Sequence, residues 1–391
     1  MPGPLAGYRI VDCTAMITGP LATMILADQG AEVVKIEPPG IGDVMRQIAT
    51  QRGGMSAFFA SCNRSKRSAV LNLRDEAGRA LLKRLVAGAD VFVQNFRPGV
   101  VERLGLDEPA LRALRPDLIY VSLNAFGETG PFATRPAYDH ILQGMSGMAA
   151  VQGVGAPAYV RNMICDKVTA YTAAQAITAA LLARERGHGG QHVRLSMLDA
   201  SLAFLWPDGM ANHTILEDDV QLQPPLSASY VMIQALDGLL SIAIVTDAQW
   251  HGLFRAVGRP DLIADPRFAT AAARSANLVA LLAELGGGKL DMKVDEAIER
   301  LAAEDVPCGP VLALEEISDH PQVVASGTLV TSVHPAMGRI REPRPPVRFA
   351  ATPAAIRHPA PSLGEHTAEV LGELGLTEAE IHELRVQGVV V

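Results

Sequence analysis

The sequence predicts an α/β protein: an open, mostly parallel, Rossmann-like sheet in a large domain, accompanied by a smaller α+β domain. Three observations carry this. Over the first 125 residues, short β-branched apolar runs alternate with helix-like stretches. Such runs, apolar on both faces, suit parallel strands covered by helices on either side. Near residue 220 the pattern changes: Tyr230–Leu236 and Leu239–Val245 flank Asp237–Gly238, a hairpin signal. And 391 residues are enough for two or three domains.

Each element has a local reason. Arg9–Asp12 is a short apolar strand, and Gly19–Pro20 opens a helix through Ala27 with proline in the favoured first turn. Glu32–Ile36 is the next strand, ended by Pro38–Pro39–Gly40. Ser68–Leu73 reads as a third strand. Asp75 then caps a helix whose stripe of Leu81, Leu82, Leu85 and Val86 stops at Gly88. Asp90–Val93 and Leu118–Leu123 are further strands. Asp166 begins a helix to about Ala183, and His192–Ser196 is a strand leading into a helix from Met197. In the block 225–325, helices are expected at Asp247–Val257, near 274–287 and near 293–304. Proline-rich linkers at Pro343–Pro346 and Pro359–Pro361 precede a C-terminal helical tail, where Thr377 and Glu380 form a capping box and Gly388 a stop.

Composition excludes several classes of function. Hydrophobic residues make up 49% and charged residues 19%, which fits a globular protein and not a disordered one. The net charge of −8 and 5% aromatics argue against an extended nucleic-acid surface, since phosphate binding needs a basic face. Cys13, Cys62, Cys165 and Cys308 stand alone, so neither a structural zinc site nor a disulfide framework is indicated, and a reducing cytoplasm suits the pattern. The N-terminal residues lack a basic region followed by an apolar core, so no signal peptide is expected. The uncharged stretch His140–Val160 is broken by glycines and proline and reads as loop and short elements, not a membrane span.

Familiar motifs fail in turn. The residues after Asp12 lack the GxGxxG of a dinucleotide turn, and no phosphate-cradling loop of the Walker A type is present. Gly144–Met148 resembles GxSxG but ends in Met, so Ser146 reads as an ordinary loop serine. His188 and His192 are four apart, but Gly189–Gly190 between them argues against a helical metal pair, and no metal site is expected. What stands out is polar loops after strands: Ala15–Pro20, Asn95–Gly99 and Asn124–Pro131. Ligands of open α/β sheets bind outside the carboxyl ends of the strands, so three such loops together suggest a cleft. Arg64, Lys66, Arg67, Arg74, Arg97 and Arg103 cluster near these ends, either as a solvated face or as phosphate partners. Asp166 has two readings: a helix N-cap, or a carboxylate kept ionised and accessible by the helix terminus, as a nucleophile requires.

In order and spacing, these segments resemble the class III coenzyme A transferases, a superfamily that includes formyl-CoA transferase, carnitine CoA-transferase and α-methylacyl-CoA racemase. The resemblance runs from Leu26–Pro39 through Asn63–Ser68, Asn95–Gly99, Gly127–Pro131, Tyr138–Asp139 and the Asp166 segment. It ends with Val306–Val311 and Leu363–Thr367. It implies that Asp166 is the catalytic nucleophile. It places coenzyme A contacts at Met16, Ile17, Leu71, Arg74, Asn95, Phe96, Arg97, Arg103 and Tyr138. It also implies a large CoA-binding domain over 1–224 with 326–391 returning to it, a small domain over 225–325, and an interlocked homodimer.

Two positions depart from formyl-CoA transferase. Ile17 replaces a glutamine, which argues against oxalate, and Pro38 replaces an arginine, leaving Arg64, Lys66 or Arg67 to substitute as phosphate partner. The racemase branch is expected to carry a histidine just before Asp139; here Tyr138 stands there and His140 follows. A tyrosine with a pKa of about 10 is poorly suited to returning a proton near neutrality, so the transferase branch is favoured. The implied reaction moves CoA from an acyl-CoA to a small carboxylic acid through aspartyl anhydride and aspartyl-CoA thioester intermediates. It needs no prosthetic group, metal, nucleic acid or membrane. The alternatives are racemase-type proton transfer and non-catalytic acyl-CoA binding.

Overall fold

The computed structural model describes residues 3–391 except 154, 226, 228 and 229. The chain forms two compact units, one running through Pro207 and including Gly327–Val391, the other Asp208–Ser326.

The larger unit is built on six strands: β1 (Arg9–Cys13), β2 (Glu32–Glu37), β3 (Arg67–Val70), β4 (Val91–Gln94), β5 (Ile119–Asn124) and β6 (His192–Ser196). They lie in the order 3-2-1-4-5-6, and every pairing is parallel. That is the doubly wound order of dinucleotide-binding folds, reached here without their glycine fingerprint. The apolar runs are explained by two cores. Ile10, Val33, Val91, Val93, Ile119 and Val121 point to one side, against helices α1 (Thr18–Asp28) and α6 (Ile164–Ala183). Val11, Val34, Phe92 and Tyr120 point to the other, against α2 (Glu76–Ala87) and the C-terminal helices. Alternate residues of each strand thus enter opposite cores, and both are apolar. In α6, Ala170, Ala173, Ala174 and Ala180 face the first core, and these small side chains let α1 pack closely against it.

The chain's end returns to the sheet. After the hairpin of β10 (Leu329–His334) and β11 (Gly338–Pro343) come α10 (Thr367–Glu373) and α11 (Glu378–Val386). Thr367 Oγ1 accepts the Val70 N–H at 3.1 Å, and Ser68 Oγ accepts the Gly364 N–H at 3.0 Å. Val370, Leu371, Ile381 and Val390 complete the second core. The predicted capping box of Thr377 and Glu380 is present, as are the Asp75 cap and the Gly88 stop of α2.

The smaller unit holds an antiparallel sheet of β7 (Val231–Gln234), β8 (Leu239–Ile242) and β9 (Cys308–Pro310), with β8 in the middle. The Ala235 N–H bonds the Gly238 carbonyl at 2.9 Å and closes the predicted hairpin. Leu240, Ile242, Leu253, Leu301 and Val306 form its core with α8 (Asp247–Ala256) and α9 (Val294–Ala303).

Several boundaries differ from expectation. The third strand ends at Val70, not Leu73, because the Asn72 N–H turns to the Val389 carbonyl. The helix expected over 274–287 is two, Ala271–Ala276 and Leu278–Glu284, divided at Asn277. The β10–β11 hairpin occupies a stretch for which no element was expected, and it reaches Pro343, the first residue of the expected linker.

Candidate active site

A cavity of about 670 Å³ opens at the carboxyl ends of the strands, where β1 and β4 lie side by side and their chains depart in opposite directions. This is the switch point of the sheet, where no crossover covers the crevice. Its walls include Met16, Ile17 and Thr18 after β1, and Asn95, Phe96 and Arg97 after β4. They also include Tyr138, Asp139 and His140 of the next helix, and Tyr159, Arg161 and Asp166. Seven of the ten residues singled out from the sequence therefore share one cavity: Asp166, Met16, Ile17, Asn95, Phe96, Arg97 and Tyr138. Leu71, Arg74 and Arg103 stand outside it. The Leu71 side chain is sealed in the core and offers a ligand no surface.

Asp166 does not occupy the N-cap. The helix α6 begins at Ile164, so Asp166 is its third residue. The cap comes from elsewhere: on α5 (Asp139–Met145), Asp139 Oδ1 accepts the N–H groups of Cys165 at 2.7 Å and Asp166 at 3.1 Å. Asp139 is itself held, its Oδ2 accepting from the Gln143 amide at 2.6 Å. The same amide donates to the carbonyls of Val160 and Asn162, pinning the strand of chain that leads into α6. Relieved of capping, the Asp166 carboxylate accepts a hydrogen bond from the Thr18 hydroxyl at the start of α1. No cation pairs with Asp166 among the described residues. The second reading of Asp166 from the sequence has the helix terminus keep its carboxylate ionised; the surroundings act the other way. Burial, and secondarily the Asp139 charge, raise its pKa to about 6, with the Thr18 bond opposing them.

The loop after β1 is fixed at both ends. Asn95 bonds both polar groups of the Ala15 backbone, its Oδ1 to the N–H at 2.9 Å and its Nδ2 to the carbonyl at 2.8 Å. Met16 takes a left-handed conformation, φ 66°, which a side chain rarely adopts, and Asp43 Oδ1 accepts its N–H at 3.2 Å.

The basic cluster divides. Arg64 is buried against Asp28 at 2.8 Å and Glu342 at 3.2 Å, Lys66 against Asp12 at 3.0 Å, and Arg67 pairs with Glu369 and Glu373 of α10. None of these replaces the arginine absent at position 38, because their charge is already neutralised. Arg74, Arg97 and Arg103 are exposed and make no side-chain ion pair or hydrogen bond among the described residues. Sequence reasoning missed Thr18, Gln143 and the cap made by Asp139. Thr18 lay in a loop already marked as polar, and Asp139 in a quoted motif, but their link to Asp166 spans more than 25 residues of chain.

The family III CoA-transferase profile matches residues 5–367, so the chain belongs to CoA-transferase family III. It is 36% identical to the acetyl-CoA:oxalate CoA-transferase of Acetobacter aceti over 387 residues, 97% of each chain. It is 34% identical to the succinate–glutarate CoA-transferase of Agrobacterium fabrum, over 96% of each chain. The solved structure of a CaiB/BaiF family protein from Brucella suis shares the fold with a TM-score of 0.83 and 33% identity, covering 96% of this chain and 100% of that one.

Proposed function

We propose that this enzyme moves CoA from an acyl-CoA to a free carboxylic acid with Asp166 as the nucleophile. One observation carries the reading: a half-buried carboxylate, unpaired with any cation among the described residues, faces a ligand-sized cavity at the sheet's switch point. The Asp166 carboxylate attacks the donor thioester carbonyl, expelling CoA thiolate and leaving an acyl–aspartyl anhydride. The thiolate attacks the aspartyl carbonyl, releasing the donor acid and forming an aspartyl-CoA thioester. The acceptor carboxylate then displaces CoA to give a second anhydride. The thiolate finally attacks the acceptor's carbonyl and frees Asp166. Passing through anhydrides conserves the thioester's energy, which direct hydrolysis would lose.

In this reading the free Arg74, Arg97 and Arg103 meet CoA phosphates, while Met16, Ile17, Asn95, Phe96 and Tyr138 line its path to Asp166. Backbone N–H groups at the uncapped start of α1 stabilise the developing oxyanion. The large unit would serve as the CoA-binding domain, and the assembly would be a homodimer with interlocked chains; a monomeric mass in light scattering overturns the latter. Donor and acceptor remain to be chosen from a panel of acyl-CoAs with mono- and dicarboxylic acids, oxalate included, read by product mass.

The test is chemical trapping. Incubation with acyl-CoA and hydroxylamine should leave a hydroxamate on Asp166, found by peptide mass spectrometry. Binding without a hydroxamate, together with full turnover by Asp166→Ala, overturns the assignment. A second reading rests on His140, which lines the same cavity and lies edge-on to Tyr159 with ring centroids 6.2 Å apart. Proton transfer at the α-carbon by His140 and Asp166 predicts deuterium uptake from heavy water without any acceptor acid.

A further inference from the structure

Beneath the loop after β1 lies a wholly buried set of six charges: Asp12, Lys35, Glu37, Asp43, Arg46 and Lys66. Three are acidic and three basic, so the set is neutral. Buried ion pairs stabilise a fold weakly, since desolvation offsets their attraction, and apolar residues of similar volume often serve as well. Asp12–Lys66 ties β1 to the segment before β3, and Glu37 holds Arg46 at 2.7 Å. The third pair, Lys35–Asp43 at 2.9 Å, spends its remaining bonds differently. Lys35 Nζ donates to the Thr14 carbonyl at 2.8 Å, and Asp43 Oδ1 accepts from the Met16 N–H at 3.2 Å. These two bonds bracket the left-handed turn at Met16, two residues before Thr18. Asp12 Oδ1 also accepts the Thr14 N–H at 2.9 Å and Asn95 holds the Ala15 backbone, but the Met16 N–H goes to Asp43, which with the same oxygen caps the short helix Val44–Gln47 through the Met45 N–H at 3.0 Å.

We infer that the Lys35–Asp43 pair is a positioning device for the nucleophile: it clamps Thr14 and Met16 so that the Thr18 hydroxyl meets Asp166. The inference rests on the transferase reading of Asp166. Neither residue touches the cavity; both act through the Met16 turn. Removing the clamp frees a strained residue, φ relaxes, and α1 loses the fixed start that aims Thr18.

Asp43→Ala alone would leave the buried Lys35 without its ion-pair partner and endanger folding. The charge-neutral pair Lys35→Met with Asp43→Ala leaves Asp12, Lys66, Glu37 and Arg46 balanced. The expected result is a melting temperature within a few degrees of wild type, faster amide hydrogen exchange at residues 14–18 and at Met45, whose N–H also loses Asp43, and kcat reduced about 10–100-fold. KM for acyl-CoA should stay within about threefold, and the acidic limb of the pH profile should move upward, since Asp166 loses the bond that favours its ionised form. Thr18→Val should show the same kinetic signature, and adding the pair substitution to it should cost nothing further. Wild-type kcat and unchanged exchange in the stable pair variant would overturn the inference, as would a loss fully additive with Thr18→Val. Failure of the transferase reading shows separately, as turnover surviving Asp166→Ala, while the exchange measurement reports on the clamp whatever the reaction.

Discussion

At Asp166 the fold does two opposing things to one carboxylate. Burial and the nearby Asp139 favour the neutral acid, while the Thr18 hydroxyl favours the anion, and the balance stands at a pKa of about 6. The nucleophile must be ionised, so kcat/KM should climb with a one-proton limb centred near pH 6 and level off above it. The same shift has a thermodynamic side. An acid whose folded pKa lies above its unfolded value of about 3.9 holds the extra proton in the folded state, so stability falls as pH rises from about 4 to 6. Asp166→Asn removes that penalty. It should abolish turnover and raise the unfolding free energy by on the order of 1–3 kcal/mol at pH 7.5, with the gain vanishing below about pH 4. A variant no more stable than wild type at pH 7.5 would show that the site does not strain its carboxylate.

At the level of elements, the site depends on one helix capping another. Met163 has no side-chain oxygen to offer at the start of α6, and Asp139 supplies it from α5. Asp139→Ala leaves the buried Cys165 N–H and the part-buried Asp166 N–H unmet and should lower stability by about 1–2 kcal/mol in urea unfolding. It also removes a charge that raises the Asp166 pKa, so the acidic limb should shift downward while kcat falls through misplacement. Asp139→Asn keeps the acceptor for the two N–H groups but sets its own NH2 against the Gln143 amide, so it should recover part of the stability and shift the limb downward as well. A limb that stays in place for both variants would deny the electrostatic link. This cap marks where sequence reading stopped. Strands, the Asp75 cap, the Thr377 capping box and the small hairpin were legible because each follows from residues within a few positions. Of the two readings the sequence offers for Asp166, the N-cap is the one that fails, since a local cap is all that spacing can reveal; the true donor–acceptor pair is 26 residues apart. The β10–β11 hairpin escaped because its strands are half exposed and lack a two-residue turn signal, the bend being held by His334 Nδ1 accepting from the Ala336 and Met337 N–H groups.

Across the large unit, charge is distributed by role and not by sequence neighbourhood. Arg64, Lys66, Arg67, Arg74, Arg97 and Arg103 all fall within the first 105 positions, and from the sequence they read as one cluster on a chain of net charge −8. Folding separates them: Arg64, Lys66 and Arg67 hold chain segments together through Asp28, Glu342, Asp12, Glu369 and Glu373, whereas Arg74, Arg97 and Arg103 keep their charge in solvent. A polyanionic substrate responds to local potential, so only the second set can draw it to a protein of net charge −8. Paired substitutions tell the roles apart. Arg67→Ala breaks a largely surface link between β3 and α10 worth about 1 kcal/mol, so Tm should fall by about 1–3 °C with KM for acyl-CoA unchanged. Arg97→Ala removes an unpaired guanidinium from the cavity wall. Tm should hold, KM should rise about tenfold or more, and its dependence on added salt should weaken, because one screened attraction has gone. Equal KM effects from the two variants would mean that the ion pairs of Arg67 open to admit substrate, and that the division into structural and binding cations does not hold.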